Sequence, residues 1–195
     1  MAGMLARDLD AVLKRTREIT RDVVAAQDAE VDQEARWPEE SLRALQAAGL
    51  GGLVVPQERG GLGHGLCALA QVCEILGMAC ASTGLCFGMH CVGAAVIAAK
   101  ATPDQQQRYL EPRSQGTHLT TLALNEPGTV ANFYLPQTQM AAVSDQIFSV
   151  SRIKSFVTSG GHADSYVIST AAADPAAPPG MFSRLVVAGD AEGLI

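Results

Sequence analysis

Leu122-Ala123-Leu124-Asn125-Glu126-Pro127-Gly128 is an apolar run that stops abruptly at a turn, and Ser155-Phe156-Val157-Thr158-Ser159-Gly160-Gly161 has the same form. Leu119 to Leu124 is apolar and rich in threonine, which predicts a strand, and Asn-Glu-Pro-Gly then breaks it. Ile153, Phe156 and Val157 make a second strand-like run, closed by Thr-Ser-Gly-Gly. Small polar residues at strand ends let the main chain approach a flat, polar ligand and donate hydrogen bonds to it. By itself this chemistry names no ligand.

Working outward, the residues before Gly116 carry helical periodicity and those after it carry strand patterns. Leu5, Leu9, Val12, Ile19, Val23 and Val24 recur near helical spacing through Val31, with mixed charges between them, so an amphipathic helix with a solvated polar face is expected. A second helix is predicted from Pro38 to Ala48, with Pro38 at its first position, Glu39 and Glu40 at the positive end of its dipole and Gly49 as its stop. Gly61, Gly63 and Gly65 sit in a turn-rich stretch, but Leu66 stands where a dinucleotide loop needs its third glycine, so a structural turn is expected. Leu66, Leu69, Cys73 and Leu76 mark one helix face. The uncharged stretch from Gly77 to Ala99 reads as two buried helices meeting near Ala81-Ser82-Thr83-Gly84, with no membrane span. His90 reads as a satisfied core residue. Thr102-Pro103-Asp104-Gln105 has capping-box spacing, for a helix expected to end before Pro112.

Strands are expected at Leu119–Leu124, Met140–Val143, Ile147–Val150, Ile153–Val157, Ser165–Thr170 and Leu185–Val187, with a proline-rich loop over Asp174–Gly180. Helices first and strands second predict an α+β chain of two units, a helical domain over residues 1–116 and an antiparallel β domain over 117–195.

At 195 residues, 48% apolar and 17% charged, the chain has the composition of a globular protein. A net charge of −6 and 5% aromatic content argue against a nucleic-acid partner. Cys67, Cys73, Cys80, Cys86 and Cys91 contain no Cys-x-x-Cys pair, so reduced core thiols in a cytoplasmic setting are expected and no metal site. Arg7, Asp8 and Asp10 interrupt any apolar leader.

Ala-Leu-Asn-Glu-Pro-Gly, followed by Lys-Ser-Phe-Val-Thr-Ser-Gly-Gly-His-Ala-Asp-Ser-Tyr-Val-Ile, resembles the acyl-CoA dehydrogenase superfamily, whose usual forms are Leu-Thr-Glu-Pro-Gly-x-Gly-Ser-Asp and Lys-x-(Trp/Phe)-(Ile/Val)-Thr-(Asn/Ser)-Gly. Leu53–Gly63, Cys80–Gly84 and Phe87–His90 are similar to further family motifs in the same order. The resemblance implies a helical N-terminal domain, a central β domain, a C-terminal helical bundle and an FAD cleft. It implies that Leu122, Leu124, Asn125, Gly128 and Ala131 line the flavin and its pyrophosphate, and that Phe156, Val157 and Thr158 lie against the isoalloxazine ring. Thr158 would donate near the N5–O4 edge. Ala131 and Asn132 fall on substrate-contacting positions. The implied activity is α,β-dehydrogenation of an acyl-CoA thioester, with electrons passing to an acceptor flavoprotein or oxygen.

This sequence departs from the pattern at Asn125, for Thr, and at Ala131-Asn132, for Ser-Asp. Those departures leave open an oxidase or monooxygenase acting on a substrate without CoA. The resemblance also implies that the chain stops at Ile195 inside the β domain, without the bundle that supplies the catalytic carboxylate. The catalytic residues are therefore unassigned, and Glu126 is expected in a turn or surface role. A non-catalytic truncated subunit whose partner chain supplies the bundle is a third reading, and the expected assembly is a homo-oligomer or a complex with such a partner chain.

Overall fold

The computed structural model describes residues 8–129, 135–144, 147–172, 176–178 and 180–194. The chain forms two compact units, 1–121 and 122–195.

In the first unit, α1 (Leu9–Ile19) and α2 (Ala25–Gln33) are joined by a π-helical turn at Thr20–Val24. The Asp8 carboxylate caps α1 by accepting from the Ala11 N–H at 3.2 Å. Val12, Leu13, Thr16 and Ile19 are buried, the spacing of one helix face turned to a core. α3 runs Glu39–Ala47. Pro38 is its N-cap and not its first helical residue, because ψ of 61° keeps it outside the helix. Gly49 ends the element at φ 78°, in the left-handed region that glycine enters without strain.

Two short 3₁₀ turns, Leu50–Gly52 and Gln57–Arg59, fold the glycine-rich stretch back on itself. The N–H groups of Leu62, Gly63 and His64 donate to the carbonyls of Gly52, Val55 and Leu53. A side chain on Gly61 would overlap the Val55 carbonyl, so the residue there is dictated by the loop's own closure.

α4 (Leu66–Gly77) buries Ala68, Leu69, Val72 and Leu76. Leu66, expected on this face, is instead 74% exposed at the helix start. α5 (Ala81–Lys100) begins where a helix junction was expected and buries Phe87, His90, Cys91, Ala94 and Ile97. By length and composition α5 could cross a membrane, and half of its apolar stretch is buried inside the protein. α6 (Pro103–Ser114) opens with a complete capping box, Thr102 Oγ1 accepting from the Gln105 N–H and the Gln105 side chain accepting from the Thr102 N–H. Thr102→Ala should lower stability by about 1 kcal/mol in denaturant titrations.

α6 does not stop before Pro112 as expected. A proline this close to the end forfeits one helical hydrogen bond. Burial of Leu110 and Arg113 on either side holds the last turn in place. The Gly116 and Thr117 N–H groups then close it by donating to the Arg113 and Pro112 carbonyls.

β1 (Thr120–Ala123) carries the chain into the second unit. There β4 (Ser165–Ala171) and β5 (Phe182–Ala188) pair antiparallel, with Ser165 opposite Ala188 and Ala171 opposite Phe182. The sheet order is β1-β4-β5, which makes β4 central and explains why it is buried along nearly its whole length. A separate hairpin pairs β2 (Met140–Ala142) with β3 (Phe148–Val150).

The expected strand at Ile153–Val157 does not form. Ile153 is 73% exposed, and Phe156 takes φ 52°, a left-handed conformation that ends any extended run.

Candidate functional site

The two quoted stretches lie side by side in the second unit. The Ser155 N–H donates to the Asn125 carbonyl at 2.9 Å, so each turn begins within a residue or two of that shared bond. The first is a type II turn: the Thr129 N–H donates to the Glu126 carbonyl at 3.1 Å, Pro127 occupies the second position and Gly128 the third at φ 90°. Thr129 Oγ1 adds a second bond to the same carbonyl at 3.0 Å. In the other turn the Gly160 N–H donates to the Val157 carbonyl at 3.0 Å, with Ser159 at φ 57° in the third position.

Between the two turns stands Phe156, 93% exposed and in a backbone region that bulky residues avoid. Strain of this kind costs on the order of 1–3 kcal/mol and persists where the surroundings impose it. The ring is thus presented to solvent by local structure, as a flat apolar surface.

Beneath this surface sits a polar centre that the sequence reading missed. Glu126 is not on the surface; its side chain is completely buried. Its carboxylate accepts from the Gln137 N–H at 3.1 Å, the Thr138 N–H at 3.0 Å, the Thr138 hydroxyl at 2.6 Å and Lys154 Nζ at 2.5 Å. Arg152 Nε lies 3.3 Å away. Lys154 also donates to the Ser169 carbonyl of β4 at 2.9 Å.

Burial pushes the Glu126 carboxyl up, but the hydrogen bonds from Lys154 and Thr138 and the Lys154 charge outweigh it and hold the group below its ordinary value. Burial likewise lowers Lys154, and there it prevails over the pull of Glu126. Held below its ordinary value, the Glu126 carboxyl is ionised at neutral pH. A carboxylate with three neutral donors and an ammonium ion has no free basic lone pair, so it suits a structural role and not proton abstraction.

Of the residues expected to hold the cofactor, Leu122 is buried in β1 and Leu124 and Asn125 are half-buried beyond it. Gly128 and Phe156 are exposed, and Val157 and Thr158 are half-buried. The Ser155–Asn125 bond brings these two groups together. Ala131 and Asn132 lie outside the described residues. The signal that could have found the Glu126 centre was Lys154, a cation set between Ile153 and the Phe156-Val157 pair.

In the helical unit, His90 is 1% exposed and fully bonded. The Thr120 N–H donates to Nδ1 at 3.1 Å, which leaves the proton on Nε2 to donate to the Gly51 carbonyl at 3.0 Å. Burial, reinforced by the nearby Arg113 charge, lowers its pKa to about 4, so His90 is neutral and structural. All five cysteines are free thiols. Among the described residues no His, Cys, Asp and Glu cluster could hold a metal ion. A trough of about 490 Å³ along α4 and α5 is lined by apolar groups including Leu69, Cys73, Leu85, Met89 and Val92.

Comparison with known proteins places the chain in a family. The chain is similar to the short-chain-specific acyl-CoA dehydrogenase of Clostridium acetobutylicum, 29% identical over 165 residues that cover 84% of this chain and 43% of that protein. Its fold is similar to butyryl-CoA dehydrogenase of Megasphaera elsdenii, with a TM-score of 0.84 and 21% identity over 95% of this chain and 49% of that one. It is also similar to the methanesulfinate monooxygenase MsuC of Pseudomonas fluorescens, with a TM-score of 0.76 and 21% identity over 93% and 44%. The chain therefore spans about half the length of the relatives it matches. Residues 7–117 match the model of the acyl-CoA dehydrogenase N-terminal domain, and the chain belongs to the acyl-CoA dehydrogenase family.

Proposed function

We propose that this chain supplies the helical domain and the flavin-facing β surface of an FAD-dependent oxidoreductase that dehydrogenates an acyl-CoA thioester at its α and β carbons. The observation that supports it most is the Ser155–Asn125 hydrogen bond, which sets the exposed Pro127-Gly128 and the half-buried Val157-Thr158 beside a solvent-facing Phe156. Such a surface fits a flat ring with a polar edge: Phe156 offers stacking area, and Thr158 and the main chain of Leu122 to Gly128 offer polar groups. The flavin, when bound, supplies the hydride-accepting chemistry. The residues of this chain bind and orient it. Ala131 and Asn132 are proposed to contact substrate, the domain boundary is proposed near Gly116, and the setting is proposed to be cytoplasmic.

Electrons would pass to an acceptor flavoprotein, and the active species would be an oligomer or a complex carrying the remaining half of the fold. Titration of FAD into the protein tests the reading by the quenching of flavin fluorescence. Phe156→Ala should leave stability within about 0.5 kcal/mol, since the side chain is exposed. It should weaken flavin binding about three- to tenfold through lost stacking. Unchanged affinity would remove Phe156 from the site.

A second reading is an oxidase or monooxygenase working on a substrate without CoA. It draws support from Ala131-Asn132, which lack the hydroxyl and the carboxylate of the usual Ser-Asp. Fast reaction of the reduced flavin with oxygen, without acyl-CoA turnover, would favour it.

A further inference from the structure

We propose that Lys154 and Glu126 form a latch whose task is to hold the two turns in register, which makes Lys154 a positioning residue for whatever the surface binds. The inference deepens the flavin reading and rests on it only for the identity of the ligand. Three features of the geometry carry it.

The ion pair joins the residues immediately next to a main-chain bond that links the turns: Lys154 precedes Ser155, and Glu126 follows Asn125. A lost pair would therefore act first on that bond. Both partners are also tied to other parts of the unit. Glu126 takes both N–H groups of Gln137 and Thr138, and Lys154 reaches the Ser169 carbonyl in the central strand. Thr138 is anchored in turn, because its carbonyl accepts from the Ala171 N–H at 2.7 Å. Finally, the pair is shielded: Glu126 is fully buried and Lys154 is 10% exposed. Water and salt screen such a pair far less than surface pairs such as Arg21–Asp22, whose side chains are 72% and 58% exposed.

The latch explains how Phe156 is held in its left-handed conformation. Ser155 is fixed to Asn125 on one side, and the Val157–Gly160 turn closes on the other. The residue between them has no freedom to relax into an extended strand.

Hydrogen exchange on the full chain, resolved by residue, tests the latch without any ligand. In Lys154→Met, which keeps the length and removes the charge, the Ser155 and Thr138 amides should lose protection at least about tenfold more than amides of the β4–β5 ladder. Lys154→Arg should restore most of that protection. Glu126→Gln should mimic Lys154→Met, and the double variant should be little worse than either single one, because both break the same pair.

Equal loss across the ladder, or no loss at Ser155, overturns the latch. Flavin titration of the same variants separates this from the ligand assignment. Local loosening with weakened FAD binding supports both, and local loosening in a chain that never binds FAD keeps the latch and rejects the flavin.

Discussion

Glu126→Ala is expected to destabilise the β unit by about 3–5 kcal/mol, the cost of removing one partner of a buried, hydrogen-bonded ion pair. The substitution strands more than Lys154. The Gln137 and Thr138 N–H groups and the Thr138 hydroxyl all lose their acceptor, and the two on Thr138 are buried where water cannot replace it without opening the unit. The free energy of urea unfolding, followed by far-ultraviolet circular dichroism, reads the effect. A loss below about 1 kcal/mol would mean that the pair is better solvated than its burial indicates.

His90 gives the second large effect, through pH. Unfolded, the imidazole titrates near 6.5; folded, it does so at about 4. Between these values the unfolded chain binds more protons, so stability rises with pH across the window. The neutral histidine contributes fully above about pH 6.5, and the contribution falls away as the pH drops towards 4. The total is about 3 kcal/mol, because a difference of one in pKa between folded and unfolded chain corresponds to about 1.4 kcal/mol. Protonation would also force a proton onto Nδ1, which already accepts the Thr120 N–H. Unfolding free energies measured from about pH 7 to pH 4 should show this slope in the parent protein. It should be absent in His90→Gln, which leaves the other acid-titrating groups in place. Parallel curves for the two proteins would contradict the assignment.

Much of the fold could be read from local chemistry. The Thr102 capping box, the Gly49 helix stop and the Pro127-Gly128 turn each need only neighbouring residues, and each formed as expected. What the sequence concealed was set by distant partners. Glu126 was expected in a turn or surface role; the turn is there, but its burial was hidden because the groups that bury it lie 12 residues away, at Thr138, and 28 away, at Lys154. The same pairing turned Lys154 inward and spoiled the strand expected at Ile153–Val157. Pro112 misled for the opposite reason: its local rule holds in mid-helix, but packing at Leu110 and Arg113 outweighs one missing bond in a final turn.

The site was legible as two turns and as a family resemblance, and the bond that unites them was not. Residues near 125 and near 155 could have met in several registers. Only the fold brings the Asn125 carbonyl to the Ser155 amide. Phe156 was legible as an aromatic residue but not as a strained and solvent-facing one.

Whether these two turns make a single flavin-facing surface is tested most directly by amide chemical shifts, recorded during a titration of the 195-residue chain with FAD. Asn125, Gly128, Val157 and Thr158 are expected to shift together along one binding curve. Shifts confined to one turn, shifts centred on the helical unit, or none at saturating flavin would contradict a shared surface.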